Sequence, residues 1–342
     1  MFAPLHTERL LIRPLLPGDA AALAERRSHP QVARYQNYQL PYSLEQAEQL
    51  VGQIIEMDGP QVDQWWMAIV ADRTSGRALG DLALRLGWKG HTAEVGYTFG
   101  PENWGRGYAT EALTALIRSL FEDRRVTRVC GMLHPDNVAS AMVLERCGLL
   151  FEGHTRSSYW VGDDCSDDRI YGMTRADWEA WTRRPRTRPA AVSLAAMSAD
   201  DLPELLAVAV HKTQEAFTGP PARWFAEALL HLGAGDRPGT ARLSGIRADD
   251  RLVGLAMVAS PHPPHPEPRL RRLVIDRLHQ RRGIGRRALG LLAEQARGWG
   301  AHSLTTAWEE GRGSPAPFFL RCGFAPTGRT SNGATEAAWD LA

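Results

Sequence analysis

Two short stretches, Trp104-Gly105-Arg106-Gly107-Tyr108-Ala109 and Gln280-Arg281-Arg282-Gly283-Ile284-Gly285, carry the residue types that bind phosphate. Each follows a β-branched, apolar run and opens an alanine- and leucine-rich one, so each is expected to turn a strand into a helix. The first N–H groups of a helix have no intrahelical acceptor and sit at the positive end of its dipole. Glycine, lacking Cβ, lets an anion approach them closely. An arginine adjoins both turns. Neither stretch ends in the Gly-Lys-Ser/Thr of a nucleoside-triphosphate loop, and neither spells GxGxxG. Taken singly, such a loop is no more than a turn between a strand and a helix.

The recurrence says more. Trp104 and Gln280 are 176 residues apart, and the Arg-Cys-Gly triplets around Cys147 and Cys322 are 175 apart. Two features that repeat in order at almost one spacing indicate a duplicated domain. The elements that must position them also repeat. The first half reads as two strands around Asp-Arg-Thr-Ser-Gly, a strand over Thr92–Gly100, the loop, and a helix from about Tyr108 to Phe121. A strand around Val126–Pro135 and a helix over Asn137–Cys147, stopped by Gly148, follow. The second half reads as a hairpin over Ala241–Ser260, a strand at Arg271–Asp276, the loop and a helix to about Gly300. The fold class is therefore α/β, two tandem domains that each hold a mixed, mostly antiparallel sheet flanked by helices. The boundaries are placed at 1–182 and 191–342, with the arginine- and proline-rich 183–190 as linker.

The totals narrow the partners. With 342 residues, 44% apolar and 23% charged, the chain has the composition of a folded protein with room for two cores. Forty Lys and Arg against 39 Asp and Glu leave a net charge of +1, which gives no global pull toward nucleic acid or anionic membrane. Four cysteines without CxxC spacing are expected as reduced thiols of a cytoplasmic protein, and no apolar run approaches a membrane span. His262 and His265 lie among prolines and are expected in a loop, not at a metal, which needs more ligands. Trp65 and Trp66 are expected to fill the sheet and its rim.

With the order of elements, the loops resemble the GNAT superfamily of acetyl-CoA-dependent N-acyltransferases, whose signature is Q/R-x-x-G-x-G/A. Thr7–Leu23, Val95–Leu113 and Asn137–Gly148 look like the RimJ/RimL branch, which acetylates protein N-terminal amines and includes enzymes acting on small amines. Arg271–Leu289 with Phe318–Arg329 is similar to polyamine-type acetyltransferases. The resemblance implies that both loops, Trp104 to Ala109 and Gln280 to Gly285, hold the pyrophosphate of acetyl-CoA. It further implies that the thioester lies between splayed strands just before the loop. Trp104 departs from the family's Gln or Arg.

Transfer of an acetyl group to an amine needs a neutral nucleophile and, for the departing thiolate, a proton. Alternation along Ala93–Phe99 puts Ala93, Val95, Tyr97 and Phe99 on one face and Glu94, Gly96 and Thr98 on the other. A glutamate beside a glycine on a strand face suits a cleft, or else a solvated face; the resemblance makes Glu94 the catalytic base. It also implies Ser140 as proton donor and Asn137 as a cofactor contact, Asn137 serving equally well as a helix cap. The tyrosine acid of other family members falls at Leu144 and, in the second half, at Phe319.

No carboxylate stands in the second half where Glu94 stands in the first; Asp276 and Glu267 are the nearest acids. The expected function is acetyl transfer from acetyl-CoA to a primary amine of a small molecule, such as an antibiotic or polyamine, or of a protein N-terminus. The first half would be the catalyst and the second a binder of acyl-CoA. The competing class is a non-catalytic acyl-CoA-binding regulator or scaffold.

Overall fold

A computed structural model describes residues 2–123, 125–161, 163–232, 241–261 and 266–342. The chain divides into two compact units, Met1–Thr182 and Arg183–Ala342. His262 and His265 lie outside the described residues.

The first unit runs β1 (Leu5–His6), β2 (Leu10–Pro14), α1 (Ala20–Ser28), α2 (Pro30–Ala33), α3 (Leu44–Glu56), β3 (Trp65–Asp72), β4 (Ala78–Gly87) and β5 (Thr92–Phe99). Then come α4 (Tyr108–Glu122), β6 (Arg128–Leu133), α5 (Val138–Cys147), β7 (Leu150–Val161), β8 (Asp164–Thr174) and α6 (Arg175–Arg183). Among the described residues the strands form one sheet in the order β1-β2-β3-β4-β5-β6-β8-β7. β5 with β6 is its parallel pair, and their register ends early. Thr92, Ala93 and Glu94 pair with Arg128, Val129 and Cys130, and β5 then continues to Phe99 without pairing to β6. The two strands splay from Glu94 onward.

Why the sheet buries both faces follows from its strands. β3 is apolar almost throughout, Trp66 to Ala71 being buried, as expected where helices cover a sheet on both sides. Arg26 of α1 reaches Asp81 of β4 in a buried ion pair at 2.5 Å, which places α1 on the face that carries Asp81. The register carries that face across the sheet: Trp65 pairs with Arg85, Arg85 with Glu94, Glu94 with Cys130 and Cys130 with Gly172. Paired residues of adjacent strands share a face. On the opposite face Tyr97 donates to the Ser140 carbonyl of α5 at 2.7 Å.

The second unit runs β9 (Val192–Ala196), α7 (Leu202–Ala207), α8 (Lys212–Thr218), α9 (Pro221–Leu232), β10 (Ala241–Ala248), β11 (Arg251–Ala259) and β12 (Arg269–Ile275). It closes with α10 (Ile284–Gly298), β13 (Ser303–Trp308), α11 (Ala316–Arg321), β14 (Ala325–Ser331) and β15 (Ala334–Asp340). Its described strands order as β14-β15-β13-β12-β11-β10-β9, with β12 and β13 parallel through Arg269 and Thr305. These two sit 176 residues after Ala93 and Val129, a bonded pair of the first unit, so the duplication read from the loops extends to the register.

The two loops have one backbone. Gly107 and Gly283 cap their helices with φ of 81° and 79°. Two residues earlier Gly105 and Arg281 are also left-handed, at 73° and 64°. Arginine in that conformation carries strain that glycine does not. Arg281→Gly is expected to stabilise the second domain by about 0.5–1 kcal/mol, the strain relieved less the freedom added to the unfolded chain. A raised unfolding midpoint in denaturant checks this; an unchanged or lowered midpoint refutes it.

Candidate active site

The loop of the first unit is open at its helix end. Arg106 and Gly107 are exposed and Gly107 is the αL cap of α4, so the first-turn N–H groups face outward and can take an anion. Arg9 lies alongside. Its Nη1 donates to the Arg106 carbonyl at 3.0 Å, its guanidinium stacks over Tyr108 at 4.6 Å, and a Cβ on Gly107 would meet it at 3.5 Å. Glu111 of α4 holds Arg9 in an ion pair at 2.6 Å. Burial works against that carboxylate's charge, yet hydrogen bonds from Thr7 and Arg9 keep Glu111 below the usual carboxylate range. An open groove of about 540 Å³ runs from the loop past Thr7, Thr110, Thr114, Arg118 and Arg146. Arg9 was not singled out from the motif spacing, because it lies almost 100 residues from the loop; the Thr-Glu-Arg-Leu opening was its signal.

Trp104, the departure from the family pattern, keeps the loop's internal tie. Its indole N–H donates to the Phe99 carbonyl at 2.8 Å, and in the second unit Gln280 Nε2 donates to the Ile275 carbonyl at 3.0 Å. Phe99 and Ile275 are the last residues of equivalent strands. An indole and an amide thus perform one task, pinning the turn to the strand end.

Glu94 stands at the point of the splay on the face shared with Arg85, whose guanidinium hydrogen-bonds Glu94 Oε2 and lies over the Trp65 ring at 5.3 Å. Ser140 lies on the other face. Its amide donates to Asn137 Oδ1 at 3.2 Å and its carbonyl accepts from Tyr97. Asn137 therefore acts as the N-cap of α5, which fixes Ser140 in the first turn beside β5. Glu94 and Ser140 thus lie on opposite faces of the sheet, Glu94 where β5 and β6 part. Burial pushes the Tyr97 phenol and the Cys130 thiol up, so both are neutral there. Leu144 is buried against Gly131 and carries no proton to give. Cys147 is a core residue, and Cys322 is half-buried against the core of the second unit.

The face around Glu94 holds a second carboxylate that the sequence reading missed. Asp168 of β8 shares the side of Gly172, hence of Cys130 and Glu94, and is 8% exposed. Burial raises its carboxyl above the usual range; Ser158 and His134 oppose that rise, and Glu94 and Asp167 add to it. Its signal in the sequence was the Asp-Asp pair of an alternating strand, which alternation alone does not assign to a face.

The second unit differs at each of these points. β12 carries a bulge at Arg271, since Met257 pairs with Arg272 and Val258 with Leu270. Leu270, the counterpart of Glu94, is 2% exposed and packs in the core with Ile284 and Leu289 of α10. Asp276 accepts from the amides of Ala209 and Leu278, and Glu267 from that of Ser303, so neither faces a cleft as a free acid. Arginines of this strand pair with carboxylates of neighbouring elements, Arg272 with Glu227 of α9 at 2.7 Å and Arg269 with Glu336 of β15 at 3.3 Å. Phe319 stacks on Trp308, rings 5.8 Å apart and nearly parallel. Arg282 is turned inward, 6% exposed, with Nε on the Thr187 carbonyl and Nη1 on His279 Nδ1, so its side chain holds the loop and does not reach out to an anion. Arg287 donates to the carbonyls of Pro189 and Ala190, so much of the arginine- and proline-rich stretch read as a linker is bound to the second unit. Gly285, matched above to the family signature, lies inside α10 against Phe318, and the left-handed cap is Gly283.

No cluster of His, Cys, Asp or Glu able to hold a metal occurs among the described residues, and no described helix is long and apolar enough to cross a membrane.

Comparison with known proteins agrees with this architecture. Residues 9–150 match the acetyltransferase (GNAT) domain model and residues 209–324 the acetyltransferase (GNAT) family model. The second match is to the family at large, with no polyamine enzyme named. The uncharacterized N-acetyltransferase YoaA of Bacillus subtilis is 26% identical over 176 residues, 51% of this chain and 98% of that protein. The [ribosomal protein uS5]-alanine N-acetyltransferase of Escherichia coli is 30% identical over 88 residues, 26% of this chain and 45% of that one. The crystal structure of a GNAT-family acetyltransferase from Bacillus anthracis, 23% identical, covers 51% of this chain and 99% of its own, with a TM-score of 0.47. The two family matches, one to each half and each spanning its glycine loop, make the chain a member of the GNAT superfamily with tandem domains, an acetyl-CoA-dependent N-acyltransferase.

Proposed function

We propose that the first domain, residues 1–182, transfers the acetyl group of acetyl-CoA to a primary amine of a small molecule or a protein N-terminus in the cytoplasm. The second domain, residues 191–342, binds acyl-CoA with little turnover of its own. The observation that carries this reading is the asymmetry at equivalent positions, Glu94 on the face of a splayed strand against Leu270 sunk in a core.

In the first domain the amides of Gly105 to Ala109, with Arg9 and Arg106, receive the pyrophosphate. The groove past Arg118 and Arg146 has the charge and hydroxyls for the rest of the nucleotide. The residues present fit acetyl-CoA, because an anion at Gly107 meets no Cβ and at least one guanidinium. Glu94, directly or through a water, takes the proton that leaves the attacking amine. As the C–N bond forms and the C–S bond breaks, the Ser140 hydroxyl, on the other face of the sheet, passes a proton to the thiolate and regains one from solvent. In the second domain the amides of Gln280, Arg281, Gly283, Ile284 and Gly285 form the corresponding loop, and Arg282 acts through its backbone alone.

Thiol release from acetyl-CoA over a panel of amines tests the reading. Acceleration by at least one amine class is expected; acetyl-CoA binding with no amine ever acetylated would instead mark an acyl-CoA-binding regulator.

A further inference from the structure

The face that carries Glu94 holds carboxylates of unequal standing, Asp81 being paired there with Arg26. Glu94 has a guanidinium partner in Arg85, so its charge is largely offset. Asp168 is 8% exposed, and among the described residues no Lys, Arg or His lies within ion-pair distance of it. A carboxylate removed from water without a paired counter-ion is costly; Ser158 and, without an ion-pair contact, His134 favour its charged form. Burial keeps its carboxyl raised, a cost that a docked cation would remove.

The surroundings of Asp168 are those of a binding mouth. Register places Met132, Ile170 and Tyr159 on the same face, and Met132 and Tyr159 are 48% and 37% exposed, unusual for such residues. Across the face Trp65 is 43% exposed beside Arg85. In the segment between α2 and α3, Asn37 opposes the rise that burial gives the Tyr159 phenol, and Tyr35 stacks on His134 at 5.1 Å and donates to the Asp136 carbonyl at 3.4 Å. The segment thus borders the space in front of Asp168. Apolar and aromatic walls with one uncompensated anion suit an alkyl chain ending in a cation.

We propose that Asp168 is a specificity-determining residue of the acceptor site. It holds a second positive charge of the substrate while the reacting amine sits at Glu94, so the preferred acceptor is an amine with another cationic group a few carbons away. This assignment rests on the first domain being the catalyst, with Glu94 at the reacting amine.

The probes are 1,5-diaminopentane and pentylamine, which share an alkyl chain and differ by one charge. In the full-length protein the KM for the diamine is expected to be at least tenfold below that for pentylamine. Asp168→Asn is expected to bring the two KM values within about twofold, chiefly by raising that of the diamine, with kcat falling less than KM rises. Equal KM values in the wild type overturn the proposal, as does a variant that loses kcat while keeping the tenfold preference. Calorimetric binding of 1,5-diaminopentane separates the two readings. If the wild type acetylates neither amine but binds the diamine at least tenfold more tightly than Asp168→Asn does, the anchor stands and the catalytic reading falls. No binding by the wild type overturns the anchor, and a variant that fails to fold leaves the wild-type preference between the probes to decide.

Discussion

Gly107→Glu is expected to raise the KM for acetyl-CoA by at least about two orders of magnitude, whereas Gly283→Glu leaves turnover within about threefold of the wild type. Both glycines cap their helices at nearly the same positive φ, so glutamate imposes a similar left-handed strain of about 1–2 kcal/mol at either place. What differs is the anion each loop would lose. At position 107 the new carboxylate would stand at the amides that receive the pyrophosphate, and Arg9, within 3.5 Å of the new Cβ, would pair with it. Gly107→Ala carries strain without charge and separates the two causes: it should retain most of the affinity that glutamate removes. Should Gly283→Glu alone abolish turnover, the second domain is the catalyst. Gly283 is a better matched control than Gly285, because Gly285 lies within α10 and a side chain there would press on the Phe318 ring, 3.2 Å from its Cβ.

Glu94→Gln is expected to lower kcat by about 10²- to 10⁴-fold, the range for loss of a positioned general base, with the KM for acetyl-CoA within about twofold. Glutamine has the shape of glutamate and its carbonyl oxygen can still accept from Arg85, so the position of the strand is kept and the ability to take a proton is lost. Steady-state rates at saturating amine measure this. More than a tenth of the wild-type kcat in the variant would assign the proton to another group.

The fate of the loops shows how much was legible beforehand. Two glycine turns at one spacing required strand, turn and helix in each half, and α4 and α10 begin at Tyr108 and Ile284, beside their glycines. The alternation of β5 was also readable, with Val95 and Phe99 buried and Glu94 on the other face. Local patterns of this sort depend on helical and strand periods, which the order of residues contains in full. Asn137 shows the limit. A cofactor contact and a helix cap call for the same residue type in the same place, and the hydrogen bond to the Ser140 amide makes it a cap.

What the sequence by itself determined was the duplication, the α/β class, the glycine turns and the position of one strand carboxylate, because the last three rest on spacing within a few tens of residues and the duplication on the recurrence of those local patterns 176 residues later. Only the tertiary structure decided which charges meet. Arg9 joins a loop almost 100 residues away, Arg85 pairs with Glu94 across two strands, and Asp168 comes to Glu94's face through the register of β6 and β8. A single bulge at Arg271 turns Leu270 into the core. With a side-chain period of two, one extra residue reverses the face of the strand on one side of it. Nothing in the apolar pattern of Arg269–Ile275 marks where that residue is inserted, because the partner strand, through its pairing, sets the place.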